Sequence, residues 1–325
     1  MRFTGPISRR TLWHDGPEVG AIGLGCMGMT WAYGLDSEAE SPNQVISRAL
    51  DLGVNFLDTA DAYGPFTNEE IVGNAIKGRR DLVVLATKGG NVARRNPDGS
   101  PALPTPDGRP EHLRQAIDGS LKRLGVDHVD LYYLHRPDPN VPVEESIGAI
   151  AEMIAAGKAR ALGVSEFTTD QLDRAHAVHP IKAVQSELSL WTRDHLRTSL
   201  PWTLRHDAAF VPYSPLGRGF LTGHFREATF APDDVRAQMP RFQQDNLQAN
   251  LAIVDKVDEV AARHAASAAQ VALAWALAQG DHIVPIPGTR RRSRLKENVG
   301  AAALQLTTLD LTELNALPAP VGTRY

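Results

Sequence analysis

Cysteine is nearly missing from this chain: Cys26 is the only one in 325 residues, which excludes an intrachain disulfide. No Cys/His cluster stands at ligand spacing, so a structural zinc site is not expected. Nor is there a run of about 18 apolar residues, so no membrane-spanning helix is expected. Positive charge is not in excess. The 34 Lys and Arg residues face 38 Asp and Glu, and the net charge of -4 argues against a general nucleic-acid binder. Near the N-terminus, Ser8-Arg9-Arg10-Thr11-Leu12 faintly echoes a twin-arginine signal, and Gly23-Leu24-Gly25-Cys26 a lipoprotein cleavage site. Asp15 and Glu18 interrupt the apolar stretch that either export route requires. These absences together point to a reducing cytoplasm, and they leave oligomeric state open.

What is present is alternation. From residue 50 onward, short β-branched runs alternate with longer amphipathic stretches, as expected of βα units around a parallel sheet. Strands are expected at 21–24, 54–57, 82–86, 129–134, 161–164, 183–185, 210–213 and 283–286. Helices are expected at 44–52, 68–77, 110–124, 144–156, 169–177, 247–264 and 268–278. Ser41-Pro42 and Thr169-Asp170 have the character of N-caps, and Gly53, Gly125 and Gly157 stand where helices should stop. Residues 12–19 around Asp15-Gly16 suggest a hairpin that closes the barrel floor. Segments 91–109 and 219–244, rich in Pro, Gly and polar residues, are expected as long loops at the C-terminal face. No linker divides the chain, so residues 1–325 are expected to form a single (β/α)8 TIM barrel domain.

One apparent fingerprint does not survive inspection. Gly23-Leu24-Gly25-Cys26-Met27-Gly28 has the G-x-G-x-x-G spacing of a Rossmann turn, but no helical period follows until about residue 42. The glycines are better explained by close backbone approach at a barrel mouth.

Four polar residues have contexts suited to an active site. Asp58 and Tyr63 lie in Asp58-Thr59-Ala60-Asp61-Ala62-Tyr63-Gly64, Lys88 ends an apolar run, and His135 follows Leu131-Tyr132-Tyr133-Leu134. In a βα barrel, a polar residue just past a strand is where chemistry is expected. A tyrosine hydroxyl is an effective acid at neutral pH only with help from a nearby cation, which Lys88 can supply. Asp58 can hold that ammonium, while His135 can orient a carbonyl and hydrogen-bond the tyrosine.

Several separated motifs carry a wider likeness: Ile22 to Met29, Asp58 to Gly64, Ala86-Thr87-Lys88, Leu134-His135-Arg136, Gly163-Val164-Ser165, Tyr213 to Gly219 and Ile286-Pro287-Gly288-Thr289. In these the chain resembles an aldo-keto reductase over nearly its whole length. The resemblance implies NADPH-dependent reduction of a small-molecule carbonyl. It makes Tyr63 the general acid, tuned by Lys88 and Asp58, with His135 orienting the carbonyl. It sets Gly25 and Met27 at the cofactor, the nicotinamide carboxamide against Ser165, Glu166 and Gln185, and Tyr213 on the ring. Ser214, Pro215, Leu216, Gly217 and Arg218 would wrap the pyrophosphate, and Gly288 begins a second cofactor-binding run that opens a helix. Thr289, Arg290 and Arg294 would meet the 2′-phosphate, so NADPH is expected over NADH, with Glu297 and Asn298 near the adenine. Glu166 departs from the family pattern, which often has Asn there. Trp31, Tyr33 and the two long loops would line the substrate pocket.

Two rivals are weaker. A catalytically silent NADPH-binding regulatory or redox-sensing subunit would not require all four catalytic residues. A metal-dependent barrel hydrolase would need companions for His135 that the sequence does not supply.

Overall fold

The computed structural model describes residues 7–30, 33–34, 38–95, 101–227, 229–231 and 234–324. Seven parallel strands form one sheet: β3 (Leu24–Gly25), β4 (Phe56–Asp58), β5 (Val84–Gly89), β8 (Val129–Leu134), β9 (Ala159–Ser165), β10 (Ile181–Glu187) and β11 (Ala209–Tyr213). Two short hairpins supply the remaining strands, β1 (Arg9–Thr11) with β2 (Glu18–Gly20) and β6 (Asn91–Arg95) with β7 (Pro101–Pro106).

The sheet closes through residues 283–288, the expected eighth strand. Ile283 bridges Phe210 and Gly288 bridges Gly25, both parallel. Gly23 N donates to Pro285 O at 2.9 Å and Ile286 N to Pro212 O at 3.0 Å. Pro285 and Pro287 have no N–H to offer, which is why this segment makes isolated bridges and not a continuous ladder. A Cβ on Gly25 would come within 2.7 Å of Ile286 O, so the glycine run serves the seam of the barrel. Only a single 3₁₀ turn, Met27–Met29, follows it, and the Rossmann reading fails on structure as well as on pattern.

Around the barrel run α1 (Pro42–Asp51), α2 (Thr67–Ile76), α3 (Pro110–Leu124), α4 (Val143–Ala155), α5 (Thr169–Val178), α6 (Ser199–Arg205), α7 (Gln244–Arg263), α8 (Ala268–Leu277), α9 (Arg292–Gly300) and α10 (Thr308–Asn315). Ser41 caps α1 reciprocally with Gln44. The cap of α5 is Thr168 with Gln171, one residue before the expected Thr169. Helices α1 to α5 pack in sequence, as do α7 to α9, and α9 returns to α1. The result is a (β/α)8 barrel.

Two cores follow from the two-residue period of the strands. Leu131 and Tyr133 of β8 face inward with Phe56, Val84, Ala86, Ala161, Ala183, Ala209, Val211, Val284 and Ile286. Tyr132 and Leu134 face the helices, in the larger core between the layers. The β1–β2 hairpin contributes Leu12 and Val19 to the inner core and so plugs one end of the barrel. Arg10 fastens it there, donating to the carbonyls of Gly280 at 2.7 Å, Leu277 at 3.0 Å and Ile283. Segment 91–109 is not an irregular loop as expected but mainly the β6–β7 hairpin, with Asn91 opposite Pro106.

Candidate active site

Continuing each inward-facing series by one step leads to the site. Phe56 leads to Asp58, Val84 and Ala86 to Lys88, and Leu131 and Tyr133 to His135. Likewise Ala161 leads by way of Gly163 to Ser165, Ala183 to Gln185, Val211 to Tyr213 and Ile286 to Gly288. Below this rim the barrel is filled with apolar side chains, and at the rim every position is polar, aromatic or glycine. Parallel register keeps the positions level: Gly25 stands beside Asp58, and Ser165 beside Gln185.

At the centre is Lys88, with no exposed surface. Its Nζ donates to Asp58 Oδ1 at 2.5 Å, to Thr59 O at 2.8 Å and to Tyr63 OH at 3.2 Å. The ammonium thus spends all three protons on this site, one of them on the tyrosine. Gln185 Nε2 donates to the other carboxylate oxygen, Oδ2, at 2.8 Å. Burial pushes the Asp58 carboxyl up against the pull of Lys88 and Gln185. For Lys88 burial acts downward, but Asp58 and Tyr63 outweigh it and hold the ammonium above its ordinary value. The Tyr63 hydroxyl is pushed up by burial and drawn back by Lys88.

His135 meets Tyr63 edge to face, with ring centroids 5.8 Å apart. Its Nδ1 is buried without a hydrogen-bond partner among the described residues. Burial, then Arg136 and Lys88, hold the imidazole well below its usual pKa, so it is neutral. Arg136, the next residue, donates to His135 O at 2.8 Å and Ser165 Oγ at 2.6 Å, and its guanidinium lies 5.9 Å from the Tyr213 ring.

A model of the aldo/keto reductase family matches residues 21–318. The chain belongs to that family. A probable aldo-keto reductase 1 of Glycine max is 42% identical over 315 residues, covering 96% of this chain and 90% of that protein. Among solved structures, a glycerol dehydrogenase of Gluconobacter oxydans superposes with a TM-score of 0.83 at 31% identity, covering 92% of this chain and 91% of that one. An aldo-keto reductase of Klebsiella pneumoniae, solved in complex with NADPH, gives 0.72 at 25% identity, with 98% of both chains covered. This aldo/keto reductase is accordingly an oxidoreductase of a family that acts on carbonyls.

The remaining positions follow the rim. Met27 lies in the 3₁₀ turn beside Gly25. From Ser214 to Gly219 the backbone takes positive φ at Ser214 (46°), Gly217 (57°), Arg218 (55°) and Gly219 (94°), with Pro215 and Leu216 between. The Arg218 side chain turns inward to Glu187, bonding Oε1 at 3.1 Å and Oε2 at 2.8 Å. Glu166 also has φ of 58°, and its carboxylate is held by Arg324 at 2.6 Å and by the Glu187 amide at 2.9 Å.

At α9 the basic run is already partly paired. Arg290 donates to Gly34 O at 2.9 Å, Arg291 pairs with Glu38, and Arg292 with Glu40. Glu40 Oε1 also accepts the Arg292 amide at 2.7 Å, a carboxylate at the positive end of the helix. Thr289 Oγ1 accepts the Arg291 amide at 3.1 Å. Arg294 is exposed, Glu297 is half-buried, and Asn298 is buried. Tyr33 bridges Asp234 in the 219–244 segment, and Trp31 lies outside the described residues. Surface clefts of about 390 and 510 Å³ along the 137–143 loop and the β6–β7 hairpin contain no residue of the tetrad. Among the described residues, no group of three His, Cys, Asp or Glu could hold a metal, and no helix is long and apolar enough to cross a membrane.

Sequence reading missed the links that organise this rim. Gln185 was expected only at the cofactor, yet it also orients Asp58. Glu187, two residues further along the same face of β10, was not singled out, although the strand period pointed to it. The partners of Arg291 and Arg292, Glu38 and Glu40, are distant in sequence and carried no local signal.

Proposed function

We propose that this aldo/keto reductase reduces aldehydes or ketones to alcohols with NADPH, using Tyr63 as general acid assisted by Lys88, Asp58 and His135. One observation carries the reading: a buried ammonium bonded at once to a carboxylate and to the tyrosine hydroxyl, at 2.5 and 3.2 Å. A proton leaving Tyr63 creates a phenolate in a site that burial makes costly for charge, and Lys88 is the group that offsets it.

The residues present fit such a cofactor. Positive φ at Ser214, Gly217, Arg218 and Gly219 folds this segment into a tight turn at the rim, where the resemblance would set the pyrophosphate. Arg290 and Arg294 flank the start of α9, where a 2′-phosphate would add its charge favourably to the helix dipole. Ser165 and Gln185, level in adjacent strands, offer a hydroxyl and an amide to a carboxamide, and Tyr213 offers a flat face. When bound, NADPH supplies the hydride that the carbonyl carbon accepts.

The chain supplies the rest. Tyr63 gives its proton to the carbonyl oxygen, and the ammonium of Lys88 stabilises the phenolate left behind. Asp58, fixed by Gln185, keeps Lys88 in place through that step. Neutral His135 has an unpaired nitrogen with which to orient the carbonyl.

Replacing Tyr63 by Phe tests the assignment. NADPH binding, followed by nicotinamide fluorescence, is expected to persist, and carbonyl reduction to fall by about 10²-fold or more. Turnover undiminished in that variant would refute the role of Tyr63.

A further inference from the structure

A buried carboxylate, Glu187, and a half-buried one, Glu166, flank the rim where the cofactor reading puts an anion, and the mechanism uses neither. Glu187 has no exposed surface, and the Glu166 side chain is 13% exposed. Glu187 is matched by the two-pronged Arg218, with Thr192 Oγ1 as a third partner at 3.0 Å. Glu166 follows Ser165 directly, and its charge is met from far along the chain. Arg324 Nη2 lies 2.6 Å from Glu166 Oε2, and Arg324 Nε lies 3.9 Å from Glu187 Oε2.

The segment bearing Arg324 is anchored before it arrives. Asn250 and Val321 exchange two hydrogen bonds, Nδ2 to O at 3.0 Å and N to Oδ1 at 2.8 Å. Arg241 Nε donates to Gly322 O at 3.3 Å, and Arg193 Nη2 to Pro318 O at 3.3 Å. Arg324 is therefore presented to Glu166 by a chain already fixed on its approach.

We propose that Arg324 is a positioning residue for the cofactor site: by neutralising Glu166 and touching Glu187, it ties the carboxamide side of the groove to the side bearing Arg218. The inference rests on the NADPH reading above. Without Arg324, the Glu166 carboxylate would stand beside Ser165 with no arginine bonded to it and only the charge of Arg136 to offset it, and its repulsion would fall on an anionic ligand. His195 lies 3.9 Å from Glu166, beyond the 2.6 Å bond that Arg324 makes. With Arg324 in place, burial holds its imidazole below the usual pKa.

The test is a double-mutant cycle of Arg324→Ala and Glu166→Gln, read by NADPH fluorescence titration and by steady-state kinetics, with circular dichroism to check folding. Arg324→Ala alone is expected to weaken NADPH binding by about tenfold, with the loss falling on KM for NADPH more than on kcat. In the Glu166→Gln background the same change is expected to cost little, and Arg324→Lys should recover part of the affinity. An equal loss in both backgrounds would overturn the inference, because Arg324 would then act through something other than the charge of Glu166. Should Arg324→Ala fail to fold, Arg324→Lys in both backgrounds decides the same question through the same non-additivity. Wild-type protein that does not bind NADPH would overturn the cofactor reading and this inference with it. Wild-type binding that Arg324→Ala leaves unchanged would overturn this inference alone.

Discussion

Asp61 is the place where this fold should reveal a stored electrostatic cost. It sits in the Asp58 to Gly64 motif, only 4% exposed, and its Oδ1 has no hydrogen-bond partner among the described residues. Glu69, also buried, is bonded by Thr87 Oγ1 at 2.6 Å and Arg123 Nε at 2.7 Å, and the charges of Arg123 and Lys88 only partly offset the cost at Asp61. Burial, and after it the charge of Glu69, pushes the Asp61 carboxyl up to about 8 from an ordinary 3.8. The sign follows from proton binding. Between those two values the folded chain keeps a proton that the unfolded chain releases, so stability falls as pH rises through the window. At about 1.4 kcal/mol per pH unit, the wild type should lose roughly 2 to 3 kcal/mol between about pH 5 and 7 from this residue alone.

Asp61→Asn removes the titration and keeps the size. Its stability relative to wild type should therefore climb with pH, most steeply from about pH 5 to 8. Urea unfolding of both proteins at several pH values, followed by circular dichroism, measures the difference in midpoint. A difference that stays flat across that range, or shrinks as pH rises, would show that Asp61 is ionised in the fold and would refute the reasoning.

Two further outcomes follow from the site and the seam. Neutral His135 and an acid Tyr63 that burial holds above its ordinary value imply a rate of carbonyl reduction with no inflection near 6.5 that belongs to His135. The decline due to Tyr63 deprotonation should appear only on the alkaline side, and initial rates at saturating NADPH measure both; an inflection near 6.5 that His135→Gln removes would contradict this. Gly25→Ala places a methyl 2.7 Å from Ile286 O, a backbone atom with little room to move. The variant should lose about 1 to 3 kcal/mol of stability by urea denaturation.

How legible the fold was depended on how locally each element is determined. The strand at 129–134 and the helix at 110–124 match expectation residue for residue, because each has a full period and clear end signals. The eighth strand was located correctly, but its prolines reduce it to bridges that no propensity describes. The β6–β7 hairpin was hidden because a segment rich in Pro and Gly reads as loop, and only pairing makes it a strand. In the site, Asp58, Lys88 and His135 were visible as polar residues ending apolar runs. The bond from Gln185 to Asp58 and the pairing of Arg324 with Glu166 join residues 127 and 158 positions apart, and such links exist only once the barrel has closed.

That closure has a consequence for how the molecule comes together. Gly25 and Gly288 face each other across the seam, so the last join in the sheet links two ends of the chain through bridges instead of a full ladder. Closing so long a loop is entropically expensive and yields little until the neighbouring strands are in place. Assembly should therefore run around the barrel and finish at the seam, and thermal opening should begin there. The seam is also where the glycines of the rejected fingerprint lie: a motif that does not bind a nucleotide as a Rossmann turn serves as the latch of the barrel.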